Sequence, residues 1–258
     1  MTDPAALTEW KTARLAALTA PDGWLNLTDR VDIGPGPQTV GAAPENALIL
    51  SRGPAHFGTL LPGWQFQTTG APQPFHLNGS PQLTVPPFLL EIHTVEGQPA
   101  LRVRDLTLPR QVHLDYYPHD PTWTLRARWE ALSVAQDQTI DQKGAGPTRV
   151  TLTHRAHFTR DGHAVTLLAT HWKAGQPMFV IRDATSGHGT YPASRFLLGE
   201  DMTDGEITLD FNKAHNPPCA FTDFAICPLP PRENILPFAV RAGEKDLIWA
   251  HAPQAAAV

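Results

Sequence analysis

A short stretch between two predicted strands concentrates side chains that bind anions. It runs from Asp183 through Ser186 and Tyr191 to Arg195, with two glycines that let a backbone approach a ligand closely. Hydroxyl groups orient a ligand, and the planar guanidinium of Arg195 forms paired hydrogen bonds to carboxylate or phosphate. The stretch predicts an anion-binding cradle. The alternative is a closed loop in which Arg195 pairs with Asp183.

A second polar group lies at the end of another predicted strand. Alternation over residues 207–211 places Asp210 and Asn212 on one side, and Asn216 follows shortly after. Asp210 is the candidate catalytic residue, because a partly desolvated carboxylate serves as a general base. The two asparagines are candidate ligand-binding groups. Alternatively, Asp210 and Asn212 fasten the following loop through hydrogen bonds to its backbone.

The two cysteines, Cys219 and Cys227, lie in proline-rich turns eight positions apart. They fit a zinc site completed by His215 or His188, although the spacing differs from that of structural zinc sites. They also fit a disulfide or redox pair, or two buried free thiols. The sequence leaves these interpretations open, assigns no metal ligand and identifies no cofactor.

Two histidines accompany a predicted hairpin. The Asp-Gly dipeptide at residues 161–162 favours a type I′ turn, which would place Arg160 opposite His163. This register puts His154 and His171 on the apolar face as diagonal neighbours, within reach of a shared metal, water or ligand. The alternative is two core histidines with separate partners.

The elements that position these residues are predicted to be mostly strands. The 26 prolines disfavour long helices. Alternation over residues 123–131 predicts a half-buried strand. With the hairpin and four further runs, about seven strands form an antiparallel barrel over residues 113–250. The further runs are residues 178–183, 195–198, 207–211 and 236–241.

The first half predicts a helix and a sandwich. Residues 1–20 form an N-terminal helix that begins at Asp3 and Pro4, with one stripe at helical spacing. That stripe comprises Ala6, Trp10, Ala13 and Ala17. Residues 21–112 read as short strands with proline-rich turns and predict a β-sandwich.

Composition limits the classes of function. The chain has 258 residues, enough to bury a core without disulfides. Its formal net charge of −5 argues against nucleic-acid binding, which needs a basic face. The sequence lacks a signal region and an apolar run of roughly 20 residues, so we expect a soluble cytoplasmic protein without membrane association. The oligomeric state is not predicted.

Short sequence motifs in the last third of the chain resemble those of a family of bacterial and archaeal proteins called domain of unknown function 1684. They are NPPCAF at 216–221, CPLPPREN at 227–234 and AGEK at 242–245. The resemblance extends from Trp24 to Lys245. It implies a β-rich fold, leaves activity unassigned, and implies an aromatic residue at the position of His215.

Part of the first half resembles a forkhead-associated β-sandwich, through Leu27, Gly36 and residues 39–41, 46–50 and 54–56. That family binds phosphothreonine with a Gly-Arg pair and a Ser three residues before a His. Here Ala42 follows Gly41, and Ser51 lies five residues before His56. The resemblance therefore implies strand topology without phosphopeptide binding.

Together these patterns predict a mostly β protein that binds a small polar or anionic ligand among its barrel loops, with enzymatic activity left open. A non-catalytic interaction or scaffold protein is the main alternative. A zinc or redox protein that uses the two cysteines is the other.

Overall fold

A computed structural model describes residues 3–77, 79–95 and 97–247. The last residues of the predicted barrel, 248–250, lie outside this part of the chain. The chain divides into two compact units. One contains the residues up to Leu15 and those from Val112 onward, and the other spans Ala16–Gln111.

One α-helix lies in the described part of the chain: α1 spans Pro4–Thr19 and confirms the predicted N-terminal helix. The Asp3 carboxylate accepts a hydrogen bond from the Ala5 N–H at 3.0 Å, which caps the first turn. The predicted stripe is not the buried face of the helix, because three of its members, Ala6, Ala13 and Ala17, are exposed. Larger apolar side chains gain more from burial, and the buried residues of the helix are Leu7 and Leu18. Within the described residues, no helix has the length and apolar character needed to cross a membrane.

The second unit is a β-sandwich, as predicted. A four-stranded sheet has the order β1-β9-β8-β7, and a five-stranded sheet has the order β3-β2-β4-β5-β6. Side chains from both sheets form one core. The strands are β1 Leu27–Asp32, β2 Gln38–Gly41, β3 Leu48–Ile49, β4 Gly58–Leu61, β5 Gln65–Gln67, β6 Gln73–Pro74, β7 Gln82–Val85, β8 Phe88–Val95 and β9 Gln98–Asp105.

The first unit contains an antiparallel half-barrel. Its strands are β10 Thr124–Lys143, β11 Ala145–Arg160, β12 His163–Leu168, β13 His171–Lys173, β14 Gln176–Ile181, β15 Arg195–Glu200, β16 Glu206–Asp210 and β17 Cys227–Pro228. The sheet order is β12-β11-β10-β16-β15-β14-β13, and β17 pairs with β10. Short 3₁₀ turns lie at Pro121–Trp123, Phe211–Lys213, Pro218–Ala220 and Arg232–Asn234. The mostly β prediction is confirmed.

The hairpin register is also confirmed. Arg160 pairs with His163, and the two turn residues, Asp161 and Gly162, have φ values of 49° and 77°. Leu152 of β11 lies outside the main core, in a smaller apolar cluster with Ile140 and Val150. A register shift in β10 between its pairings with β11 separates that cluster from the core.

The predicted strand at residues 236–241 is wrong. This run has no regular ladder, because Pro237 lacks an N–H and the Val240 N–H donates to the Asp183 carboxylate at 3.0 Å. Phe238 and Val240 are still buried in the core. We call residues 236–245 the terminal segment.

Candidate functional site

Arg195, the predicted anion fork, begins β15 and is buried, with 1% of its surface exposed. Its Nη2 lies 2.8 Å from the Asp183 carboxylate, and both side chains are 1% exposed. The guanidinium also donates to the carbonyls of Val240 at 3.0 Å and Ala242 at 2.5 Å. This geometry is the closed ion pair that the sequence offered as the alternative to a cradle.

The loop after Asp183 folds back on itself. The Asp183 carboxylate accepts hydrogen bonds from the Thr185 N–H at 2.8 Å and the Thr185 hydroxyl at 2.6 Å. The Ser186 hydroxyl accepts from the Asp183 N–H at 3.2 Å, and the hydroxyls of Thr185 and Thr190 are 2.9 Å apart. These hydroxyl groups stabilise the turn itself.

Asp210, the predicted general base, is also buried. Its carboxylate accepts hydrogen bonds from the Thr124 hydroxyl at 3.1 Å and from both the N–H and the side-chain amide of Asn212. The Lys213 ammonium lies 3.7 Å away. Asn212 in turn exchanges hydrogen bonds with the backbone of Asp120 at 3.0 and 3.1 Å. The geometry matches the loop-fastening alternative.

Glu244, which sequence reasoning missed, is the hub of another buried network. Its side chain is 0% exposed and pairs with Arg14 at 2.9 Å. It also accepts from the Asn216 N–H at 2.8 Å and the Tyr116 hydroxyl at 3.2 Å. Asn216 donates its amide to the Lys245 carbonyl at 2.8 Å. The AGEK motif at residues 242–245 could have indicated this role, because a buried glutamate in such a motif needs a partner of opposite charge.

The predicted site residues therefore fall into three groups. Asp183, Ser186, Arg195 and Asn216 hold the terminal segment directly or through a neighbour. Asp210 and Asn212 fasten the turn after β16. Tyr191 bonds to Cys219. Ligand-binding and catalytic roles for these residues stay predictions.

His215 lies in an aromatic setting beneath α1. Its ring centroid is 5.9 Å from that of Trp10 and 6.1 Å from that of Phe196. Its Nδ1 bonds to the Lys213 carbonyl at 3.0 Å, so this nitrogen carries the proton. Burial, with a smaller contribution from the Arg14 charge, lowers the pKa of His215 to about 3.

Stability should fall in mild acid because of this histidine. Its folded-state pKa of about 3 lies below the ordinary value of 6.5, so between these values the unfolded chain binds a proton that the folded chain does not. We expect His215 to reduce the free energy of unfolding by about 2 kcal/mol between pH 7 and pH 5. Urea unfolding of the wild type and of His215→Phe measures the effect. The variant should lose that much less stability, whereas equal losses in both proteins would contradict the assignment.

The hairpin histidines have separate partners. The His154 ring stacks on Trp129 with centroids 4.8 Å apart, and its Nδ1 lies 2.9 Å from the Thr153 hydroxyl. The His171 Nδ1 lies 3.0 Å from the Thr170 hydroxyl, and burial lowers the pKa of His171. Among the described residues, no three or more His, Cys, Asp or Glu side chains are grouped to hold a metal ion.

A cavity of about 360 Å³ lies beside β10, β11 and β12. Its apolar lining comes from Leu132, Leu152 and Leu168. Its polar lining comes from Gln136, Asp137, Gln138, Arg155, Thr166 and Glu233. Sequence reasoning missed this cavity, because the register shift that separates Leu152 from the main core has no local sequence signal.

Comparisons with known proteins add a family and no activity. The profile of the family described as "Protein of unknown function (DUF1684)" matches residues 112–245. A solution NMR structure of an uncharacterized protein from Haloarcula marismortui is 32% identical, with a TM-score of 0.43. The match covers 51% of this chain and 75% of that one. No curated protein matches the chain.

Proposed function

The chain belongs to the DUF1684 family of unknown function, and we propose that its family domain is a non-catalytic module that binds a small polar molecule. The supporting observation is the cavity beside β10, β11 and β12. Its volume of about 360 Å³ falls within the range of small-molecule sites. The proposal gives Asp210 a structural role, because its carboxylate is occupied by hydrogen bonds within the protein.

The lining of the cavity favours a neutral or cationic ligand over an anionic one. Arg155 is its only basic residue, and the Arg155 guanidinium is already paired with Glu130 at 2.5 Å. Glu233 supplies one carboxylate, and Asp137 supplies a second that accepts from the Thr151 hydroxyl at 2.8 Å and lies 3.8 Å from the Arg149 guanidinium. The carboxamide of Gln138 offers both a donor and an acceptor. An amine or amide with one apolar face fits this combination of leucines, amides and acids.

A thermal-shift panel of small amines, amides and carboxylates of similar size tests the proposal. We expect amines or amides to raise the melting temperature, because a ligand at a hundredfold its dissociation constant stabilises by about 2.7 kcal/mol. Gln138→Leu should abolish that shift by removing a carboxamide from the lining. Glu206→Gln is the matched control, because Glu206 pairs with Arg126 outside the cavity lining. A shift that persists in Gln138→Leu would contradict the site.

A non-catalytic scaffold is the second candidate function. It is favoured by the closure of the Asp183–Arg195 pair, since the conspicuous polar residues then serve to hold the proline-rich loops in place. The same panel separates the two candidates. If no compound stabilises the wild-type protein, the binding proposal fails and the scaffold is supported.

A further inference from the structure

The two cysteines meet in the folded chain. Cys219 lies in the 3₁₀ turn Pro218–Ala220, and Cys227 lies in β17. The Cys219 N–H donates to the Cys227 sulfur at 3.2 Å. Both are free and buried, with 4% of Cys219 and 1% of Cys227 exposed. A Cys227 sulfur this close to the Cys219 backbone needs little rearrangement to form a disulfide with the Cys219 sulfur.

A hydroxyl and an ammonium group adjoin the thiols. The Tyr191 hydroxyl donates to the Cys219 carbonyl at 2.8 Å and lies 3.7 Å from the Cys219 sulfur. The Lys143 ammonium donates to the Tyr191 hydroxyl at 2.8 Å and to the Cys219 carbonyl at 3.2 Å. A cation close to a thiol favours its thiolate, which is the nucleophilic form.

The two sulfurs have different protonation preferences. The hydrogen bond from the Cys227 thiol lowers the pKa of Cys219, and Tyr191 and Lys143 lower it further. The same hydrogen bond, together with burial, raises the pKa of Cys227. The Tyr191 hydroxyl and the Lys143 ammonium both lie beside Cys219, so Cys219 is the attacking thiol and Cys227 the resolving one.

We propose that Cys219 and Cys227 form a reversible redox dithiol that hydrogen peroxide oxidises to a disulfide. The Cys219 thiolate attacks one peroxide oxygen, the O–O bond breaks, and the released hydroxide takes up a proton to become water. The resulting sulfenic acid at Cys219 is then attacked by Cys227, which gives up its thiol proton. The S–O bond breaks, and that hydroxide leaves as a second water. The two sulfurs lose two electrons in total, which reduce the peroxide. A small oxidant is required because Cys219 is only slightly exposed.

Hydrogen peroxide treatment followed by intact-protein and peptide mass spectrometry tests the proposal. The wild type should lose the mass of two hydrogens, carry a peptide cross-link between residues 219 and 227, and regain both hydrogens with dithiothreitol. The chain has only these two cysteines, so the cross-link is unambiguous. Cys227→Ser should instead accumulate one added oxygen on Cys219 that reacts with dimedone.

Rates add a second readout. Oxidation of Cys219 should be half-maximal below the pH of roughly 8.5 expected for an ordinary thiol. Lys143→Met should slow it several-fold, and Lys143→Arg should retain most of the rate. Over-oxidation of either cysteine without a cross-link in the folded wild type would overturn the proposal. So would equal rates in wild type and Lys143→Met. Neither outcome bears on the cavity, which contains neither cysteine.

Discussion

Asp183→Ala should lower the free energy of unfolding by about 3–5 kcal/mol, because it leaves a buried guanidinium without its opposite charge. Arg195 and Asp183 are each 1% exposed at the side chain and 2.8 Å apart. The substitution also removes the acceptor of the Val240 N–H, which loosens the terminal segment. Urea unfolding followed by tryptophan fluorescence gives the free energy.

An exposed pair is the matched control for this prediction. Glu206→Ala breaks the ion pair between Glu206, whose side chain is 61% exposed, and Arg126, whose side chain is 50% exposed. It should lower the free energy of unfolding by less than about 1 kcal/mol. A double variant, Asp183→Leu with Arg195→Met, should recover much of the loss, because it leaves no unpaired charge. A cost for Asp183→Ala as small as that of the control would mean that Arg195 reaches water.

Gly243→Ala should destabilise the protein by about 2–5 kcal/mol. Gly243 has a φ of +80°, which a residue with a Cβ adopts at a cost of about 1–2 kcal/mol. A Cβ there would also lie 2.4 Å from the Ala214 carbonyl oxygen and 2.8 Å from that of Phe211. Both contacts are backbone atoms, so relief requires moving the terminal segment away from the turn after β16. Chemical unfolding measures the loss.

Gly175→Ala separates the two causes. Gly175 has nearly the same φ, +79°, and a Cβ there would meet no described atom within 4 Å. It should therefore show only the backbone cost of about 1–2 kcal/mol. If both alanine variants lose the same stability, the close approach of the terminal segment to Ala214 and Phe211 is refuted.

Local patterns predicted the elements because strands and turns depend on neighbouring residues. The Asp-Gly dipeptide fixed the pairing of Arg160 with His163, and alternation predicted the start of β10. The alanines of α1 gave no such guidance, because a small apolar side chain is compatible with either face. Pro237 interrupts a run whose alternation alone is typical of a strand.

The tertiary partners of the polar side chains were not predictable from local patterns. Arg14 and Glu244 are 230 positions apart, and Arg195 bonds to carbonyls 45 and 47 positions away. A polar side chain at a strand end follows the same alternation whether it faces water or another part of the chain. The sequence therefore indicated both a cradle and a closed pair at Arg195, and only tertiary structure distinguishes their geometries.

Native-state hydrogen exchange of the terminal segment tests the central claim most directly. That claim is that the buried polar contacts of Asp183, Arg195 and Glu244 hold this segment against the rest of the domain. The reporters are the N–H of Val240, which donates to Asp183, and the N–H of Glu244, which donates to the Ala214 carbonyl at 2.8 Å. Both should exchange with the free energy of global unfolding. Exchange through an opening several kcal/mol less costly, while core strands stay protected, would show a segment that detaches and would contradict the account.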